Sequence, residues 1–340
     1  MIRILLAFLL AFVGVAQAAT SWEFDWETLP TVPADASKGI WYQGNCFSEA
    51  AGDPFNSVEL STKYKRTGSK SARLYTDSKY KNADGHNNCW TYLDTEKGSR
   101  IVDGVTVTYY KQRNEPKFAW FNDESNDFEK YQIGEERWFR YSFYLPSDEG
   151  TFSYWNTGPY ASKGIMIMQL FANNNPANAG DQSHEIAFIL SGGPKMKVER
   201  GYGTTSETFS SLGTFNLKKD AWNDVVFMHT SHSSNGKFKM WLNCVDWANC
   251  TPSIDFTGPT GFSKFLDRYW KGGNYEINIP EYNRAIAQYI DSHRMAKRGT
   301  ETDAQMLAYM ADAFSGKSGI NIPVTSYVYT EDFQANLDIE

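Results

Sequence analysis

Seven residues, Tyr269 to Tyr275 (YWKGGNY), combine two phenols, an ammonium group and two adjacent glycines. Residues two apart in an extended chain share a face. Tyr269, Lys271 and Tyr275 therefore lie together, with the bare backbone of Gly272 and Gly273 beside them. A phenol loses its proton near pH 10 in water, and a nearby ammonium moves that value down toward the range where proton transfer is useful. Aromatic residues in a strand ordinarily serve packing. A glycine pair inside a strand is less ordinary, and signals a bulge or the close approach of another group.

Three further stretches carry compatible groups. In QRNEPKF (112–118), alternation puts Arg113, Glu115 and Lys117 on one face. That row is either a platform for a ligand carboxylate, with Glu115 holding the guanidinium in place, or a solvated charge row. Pro116 marks an edge or a bulge there. In IMIMQLF (165–171), Gln169 is the one polar side chain of an apolar run. An unpaired buried amide costs roughly 1–3 kcal/mol, so Gln169 bonds either a ligand carboxyl group or neighbouring backbone. The histidines are His86, His184, His229, His232 and His293. His184 opens the run after Gln169, and a hairpin would bring the two to one groove. His86 sits in a loop near Cys89, His229 and His232 at a strand end in a solvated turn, and His293 in a helical segment.

The elements that position these groups are mostly strands. SARLYTD (71–77), RWFRYSFYLP (137–146), GIMIMQLF (164–171), EIAFIL (185–190), KMKVER (195–200), DVVFMHTS (224–231) and KFKMWLN (237–243) are short and rich in aromatic or β-branched residues, with Gly, Pro, Asn or Asp at their borders. The Asn235-Gly236 pair predicts a hairpin between the last two. The chain reads as an all-β antiparallel sandwich occupying residues 20–340 as one domain. Between about 280 and 316 the apolar spacing changes to three and four: Ile286, Tyr289, Ile290, then Met306, Leu307, Met310, Phe314. Two helices split at Gly299, the second capped by Thr300 or Thr302, are expected as an insertion in the sandwich.

Residues 1–19 have an early arginine, Arg3, an apolar stretch from Ile4 to Val15 and small residues at Ala16, Ala18 and Ala19, the pattern of a secretory signal peptide. No later stretch is long and apolar enough to cross a bilayer. Removing Arg3 leaves 32 basic against 40 acidic residues, which excludes nucleic acid and membrane surfaces as general partners and leaves room for an anionic polymer only in a locally positive groove. In an exported chain, four cysteines favour disulfides. Cys244 and Cys250 bracket VDWAN and pair with each other, which leaves Cys46 with Cys89. A secreted monomer with no required cofactor is expected. The Asp/Asn cluster NDESND (122–127) leaves open a structural calcium ion.

In order and content these stretches resemble the jelly-roll polysaccharide lyases, the broad concanavalin A-like grouping that includes alginate, glucuronan and heparin lyases. RNEPK (113–117) is similar to their R-x-E-x-R-like strand, QLF (169–171) to their Q-x-H strand, and YWKGGNY to their Y-F-K-x-G-x-Y strand. TGSKSARL (67–74), ERWFRYSFYLP (136–146) and the hairpin from Trp222 to Asn243 agree, so the resemblance spans roughly residues 65–275. It implies a jelly roll and β-elimination at a 4-linked uronic acid of glucuronan or alginate type. Arg113 and Gln169 would neutralise the carboxylate. Tyr275, with Tyr269 as runner-up, would protonate the leaving oxygen. Lys271 would tune the phenol, and Lys117, Glu115 and Trp270 would line the substrate. Phe171 stands where the Q-x-H histidine falls, so the resemblance implies either a tyrosine-only site or His184 as the base. Pro116 and Lys117 replace the end of the R-x-E-x-R face. A non-catalytic carbohydrate-binding sandwich, with Trp90, Trp155, Trp247 or Trp270 as platforms, is the alternative. A sandwich glycoside hydrolase needs two carboxylates, and no E-x-D-x-x-E strand is present.

Overall fold

In the computed structural model, residues 19–24, 40–43, 56–77, 99–102, 105–118, 131–149, 165–173, 182–191, 195–265, 267–280, 285–315 and 325–327 are described. They form two stacked, largely antiparallel sheets. The back sheet has the order β14 (Ile254–Gly258), β13 (Gly236–Leu242), β12 (Trp222–Thr230), β7 (Glu136–Tyr144), β16 (Ala285–Lys297), β1 (Thr20–Phe24) and β17 (Thr325–Tyr327). To it β4 (Ser71–Asp77) adds on β16, and β3 (Asn56–Ser61) on β4. The front sheet has the order β11 (Thr208–Asn216), β10 (Lys195–Tyr202), β9 (Gln182–Leu190), β8 (Ile165–Asn173), β15 (Asp267–Pro280), β6 (Val105–Phe118) and β2 (Ile40–Gln43), with β5 (Ser99–Val102) on β6. Among the described residues the one parallel pair of strands in the back sheet is β1 with β17.

Alternation explains the layers. On β7, Phe139, Tyr141 and Phe143 point into the core, while Trp138, Arg140 and Ser142 alternate with them. On β12, Val225 and Phe227 face inward and Val226 and Met228 outward. Phe139 stacks on Phe227 at 4.7 Å, and Ile167, Leu170, Phe188 and Trp270 of the front sheet close the core from the other side. The hairpin predicted at Asn235-Gly236 joins β12 to β13.

A third layer covers the back sheet. The helices α1 (Asp303–Met310) and α2 (Asp312–Ser315) follow β16, and Met306, Leu307 and Met310 pack on Trp138, Val226, Met228, Trp241 and Ala296. Thr302 caps α1 with a full capping box, so the predicted second helix and its cap are present. The Cys244–Cys250 disulfide closes the loop that carries Trp247 into the same cluster. Arg140 and Arg294 both bond Asp312 and tie α2 to the sheet.

The first predicted helix is absent: residues 285–297 form β16, hydrogen-bonded to β7, β4 and β1. The cause is burial on both faces. Ile290 and Met295 reach the core, while Ala296 meets the helix layer, so apolar residues occur on both sides and their spacing mimics a helical stripe. The expected helical insertion is thus only its second half, and it lies on the back sheet, the far side of the molecule from YWKGGNY. Cys46, Cys89, Trp90, Trp155, residues 122–127 and the proposed signal segment up to residue 18 lie outside the described residues.

Candidate active site

YWKGGNY is the middle of β15. Its register sets Tyr275 opposite Arg113 of β6 and Met166 of β8, Lys271 opposite Lys117 and Gln169, and Tyr269 opposite Phe171. Phe171 is in turn opposite His184 of β9. Directly opposed residues share a face. Positions 113, 117, 269, 271, 275, 169 and 184 therefore meet on the outer face of the front sheet. Glu115 belongs to the same face of β6 and pairs with Gln43 of β2. Three separate parts of the sequence, β6, the consecutive β8 and β9, and β15, thus bring nearly all the candidate positions together.

Two bulges shape this face. The pairing of β15 with β8 slips between Gly272 and Tyr275, and Gly273 has φ +126°, a conformation that favours glycine. On the opposite strand Ile167 and Met168 both face the core, which leaves Met166 and Gln169 on the outer face. The Tyr141 hydroxyl, itself bonded by the Gln288 amide at 2.8 Å, donates to the Ile167 carbonyl at 2.8 Å and holds that irregularity from below. The Asn274 amide donates across the sandwich to the Leu74 carbonyl at 3.4 Å.

A third bulge follows on β9. Leu170 pairs with Ile186 and Phe171 with His184, so Glu185 is the extra residue. It turns inward to a fully buried ion pair with Arg268 (Nε–Oε2 3.1 Å), the residue before Tyr269. Arg268 also donates to the Ser231 hydroxyl and to the carbonyls of Phe262 and Phe265. Removing one member of such a pair strands a buried charge. The start of β15 is accordingly fixed, and His184 is left on the outer face.

The Lys271 ammonium lies 3.9 Å from the centroid of the Phe171 ring and 5.4 Å from that of Tyr269. Phe171, at the position where the Q-x-H strand of the resembling families carries its histidine, provides a cation–π seat worth about 2 kcal/mol where desolvated. The ammonium is therefore next to Tyr269, and the basic position opposite Tyr275 is Arg113. Gln169 and Lys271 are 2% exposed and Tyr269 is 9% exposed, whereas Tyr275 is half-buried against Met166, Ala187 and Ile189. Of the two phenols, Tyr275 is the more accessible.

Other residues take different places from those expected. Trp270 is 1% exposed and packs in the core against Phe139, Tyr141 and His293, because it is one step out of phase with Lys271; it presents no surface to a sugar. Trp247 is buried under α2. His229 is fully buried, not in a solvated turn: Nε2–H donates to the Thr260 carbonyl and Nδ1 accepts from the Tyr131 hydroxyl, and burial pushes its pKa down to about 3. His293 is on β16, not on a helix, and burial pushes it well below the ordinary range. His232 is the turn residue expected, accepting from the Ser234 and Asn235 amides at 3.0 Å each. The supporting residues Tyr141, Asn274 and the Glu185–Arg268 pair escape sequence reading, since bulges carry no periodic signal. Among the described residues no group of three or more His, Cys, Asp or Glu side chains is placed to hold a metal ion.

The family model described as polysaccharide lyase matches residues 56–294, and the chain belongs to that family. It is a polysaccharide lyase, as the order of its motifs implied. No curated protein sequence matches the chain. Solved structures to which the chain is similar include an endo-β-1,4-glucuronan lyase from the fungus Trichoderma reesei, at 13% identity over 76% of this chain and 94% of that one, with a TM-score of 0.48. A family 7 alginate lyase in complex with substrate has 10% identity over 71% and 84%, TM-score 0.41. The alginate lyase Aly36B has 10% identity over 84% and 100%, TM-score 0.38.

Proposed function

We propose that the protein is a secreted lyase that cleaves a 4-linked uronic-acid polysaccharide, of glucuronan or alginate type, by β-elimination at Tyr275. The observation that carries this reading is the register that aligns Arg113, Tyr275, Lys117, Lys271 and Gln169 on three adjacent strands of one face. The C5 proton of a uronic acid becomes acidic when the negative charge spreading into the carboxylate is matched by cations and hydrogen-bond donors. Arg113 and the Gln169 amide supply that match.

Tyr275 acts as base and acid in turn. Its phenolate, with the basic residue of position 113 paired opposite it, takes the C5 proton; the electron pair forms the C4–C5 double bond as the C4–O bond breaks; the phenol returns the proton to the departing oxygen. This sequence suits a substrate whose proton and leaving group lie on one face of the ring, and it asks for no histidine at position 171. Lys271 and Lys117 hold the polymer, with Tyr269 packed beside Lys271. An overall charge of −7 argues against heavily sulfated polymers, which need many basic contacts. The leader at residues 1–19 and the Cys244–Cys250 disulfide support export.

The test is ultraviolet absorbance of the unsaturated product with glucuronan, poly-mannuronate, poly-guluronate and heparin, for the wild type and Tyr275→Phe. A rise on one uronic polymer that the variant lowers by about 10²–10⁴-fold is expected. A variant as active as the wild type would remove Tyr275 from the chemistry.

A further inference from the structure

The outer face of the front sheet continues past the candidate active site onto β9, β10 and β11, where a second set of side chains has no role in the elimination. Phe209 of β11 is 42% exposed, the one aromatic among the large apolar side chains exposed to that degree in the described residues. Its ring stacks on that of His184, 4.8 Å between centroids and 30° between planes, although the two belong to strands separated by β10. The residue of β10 between them is Gly201, opposite Phe209; a Cβ there would meet the Phe209 ring at 2.9 Å and the His184 carbonyl oxygen. The absent side chain is what lets the ring cross the strand.

Polar groups line the floor beside this ring. Glu199 receives a hydrogen bond from His184 (3.3 Å) and an ion pair from Lys197 (2.7 Å). Their side chains are 14% (His184), 18% (Glu199) and 32% (Lys197) exposed, open enough to touch a ligand. The His184 hydrogen bond, and then Lys197, hold the Glu199 carboxyl down at about 2, so it is an ionised acceptor for hydroxyl groups. On its inner side the row runs His184, Phe171, Tyr269, with 5.5 Å between the last two rings, and reaches the strand of Tyr275.

We propose that Phe209, His184, Glu199 and Lys197 form a distal sugar-binding subsite that holds one pyranose ring of the substrate polymer, several rings away from the bond that breaks. The aromatic face takes the apolar face of the ring, Glu199 and His184 take its hydroxyls, and Lys197 takes the uronate carboxylate. From β15 to β11 there are four strand spacings of about 4.8 Å, roughly 19 Å, so only a chain of several sugars spans both places. The subsite rests on the polymer assignment above but not on the chemistry at Tyr275. It makes His184 a binding residue.

The experiment compares wild type, Phe209→Ala and Phe209→Tyr by affinity electrophoresis in gels containing each of the four polymers, and by initial rates on long polymer and on trisaccharides. Phe209 is largely outside the core, so the alanine variant keeps its fold, which its melting temperature confirms. The expected result is loss of about tenfold in retention and a matching rise in KM on polymer for Phe209→Ala, with kcat and trisaccharide kinetics unchanged and with Phe209→Tyr close to wild type. Equal retention of wild type and Phe209→Ala overturns the subsite, as does a wild type that no polymer retains, or a loss that is the same on trisaccharides. If wild type is retained but makes no unsaturated product, the elimination reading falls while the retention difference still decides the subsite.

Discussion

The sandwich has two outer faces, and the chain treats them in opposite ways. On the back sheet, Trp138, Val226, Met228, Trp241 and Ala296 point outward and the chain covers them itself, with α1 and the Cys244–Cys250 loop. On the front sheet the outward residues are Gln169, Lys271 and Tyr269, which are buried, His184, Glu199 and Lys197, which are partly open, and Phe209, which is exposed. The apolar cluster of the back face gains from permanent burial, at about 25 cal/mol per Å², and its two arginines, Arg140 and Arg294, are matched by Asp312 of the covering helix. A face that mixes rings with charges gains less from apolar cover and more from a ligand with an apolar side and polar edges, which describes a pyranose. The composition of each face therefore separates the one that is architecture from the one that the proposed function assigns to substrate.

The sharpest way to break this comparison is a pair of variants. Tyr275→Phe on the front is expected to cost about 10²–10⁴ in rate with an unchanged melting temperature. Trp138→Ala on the back removes a side chain that is fully buried and stacked on Trp241 at 5.5 Å. It is expected to cost about 3–5 kcal/mol of stability, while the folded fraction at low temperature retains wild-type kcat/KM. If Trp138→Ala lowered kcat/KM per folded molecule as much as Tyr275→Phe does, the division between the faces would be wrong.

A third prediction concerns the core between the faces. The folded pKa of His229 is depressed to about 3, and that of His293 also lies well below its ordinary value, because both are fully buried. Unfolding frees each to bind a proton below about pH 6.5. The unfolded state then holds more protons, so stability is fully present above that pH and is lost as the pH falls. Between pH 7 and 5 each histidine removes up to about 2 kcal/mol, readable as a fall in the denaturant midpoint. Glu185, whose carboxyl burial pushes upward, works in the opposite sense and trims the total. A midpoint flat over this range would contradict the buried neutral state of the two rings.

How much of this was legible follows from where each residue sits. Strands with one apolar and one polar face, such as Lys195–Tyr202, announce themselves by alternation, and the Thr302 cap and the Cys244–Cys250 loop are local chemistry. Alternation places positions 113, 115 and 117 on one face and 269, 271 and 275 on one face, whereas Gln169 lies in an apolar run without a phase and was grouped with them only through the order of motifs in the resemblance. β16 was not readable: with apolar residues needed on both faces, its period of two disappears, and Ile286, Tyr289 and Ile290 imitate a helix. Trp270 was misplaced because aromatic identity was weighed above phase, which puts it on the core side between Tyr269 and Lys271. Phe209 has a signal, an aromatic followed by two serines in TFSSLGTFN, but its meaning depends on Gly201, a neighbour only in three dimensions.

The smallest effect expected is at the cap of α1. The Thr302 hydroxyl accepts from the Gln305 amide at 3.3 Å, and the Gln305 side chain accepts from the Thr302 amide at 2.8 Å. Thr302→Ala removes one half of that exchange and is expected to cost about 1 kcal/mol. The helix it starts carries Met306, Leu307 and Met310 onto Trp138 and its neighbours, so the loss is felt as a slight loosening of the back cover. Between Thr302 and Tyr275 lie both sheets and the core. Sites so separated add independently, within about 0.3–0.5 kcal/mol. In the double variant with Phe209→Ala, the change in melting temperature should therefore come from Thr302 and the change in KM from Phe209. A Thr302→Ala protein with altered KM on polymer would mean that the helix layer reaches the substrate face through the core, and the two faces would then have to be treated as one coupled unit.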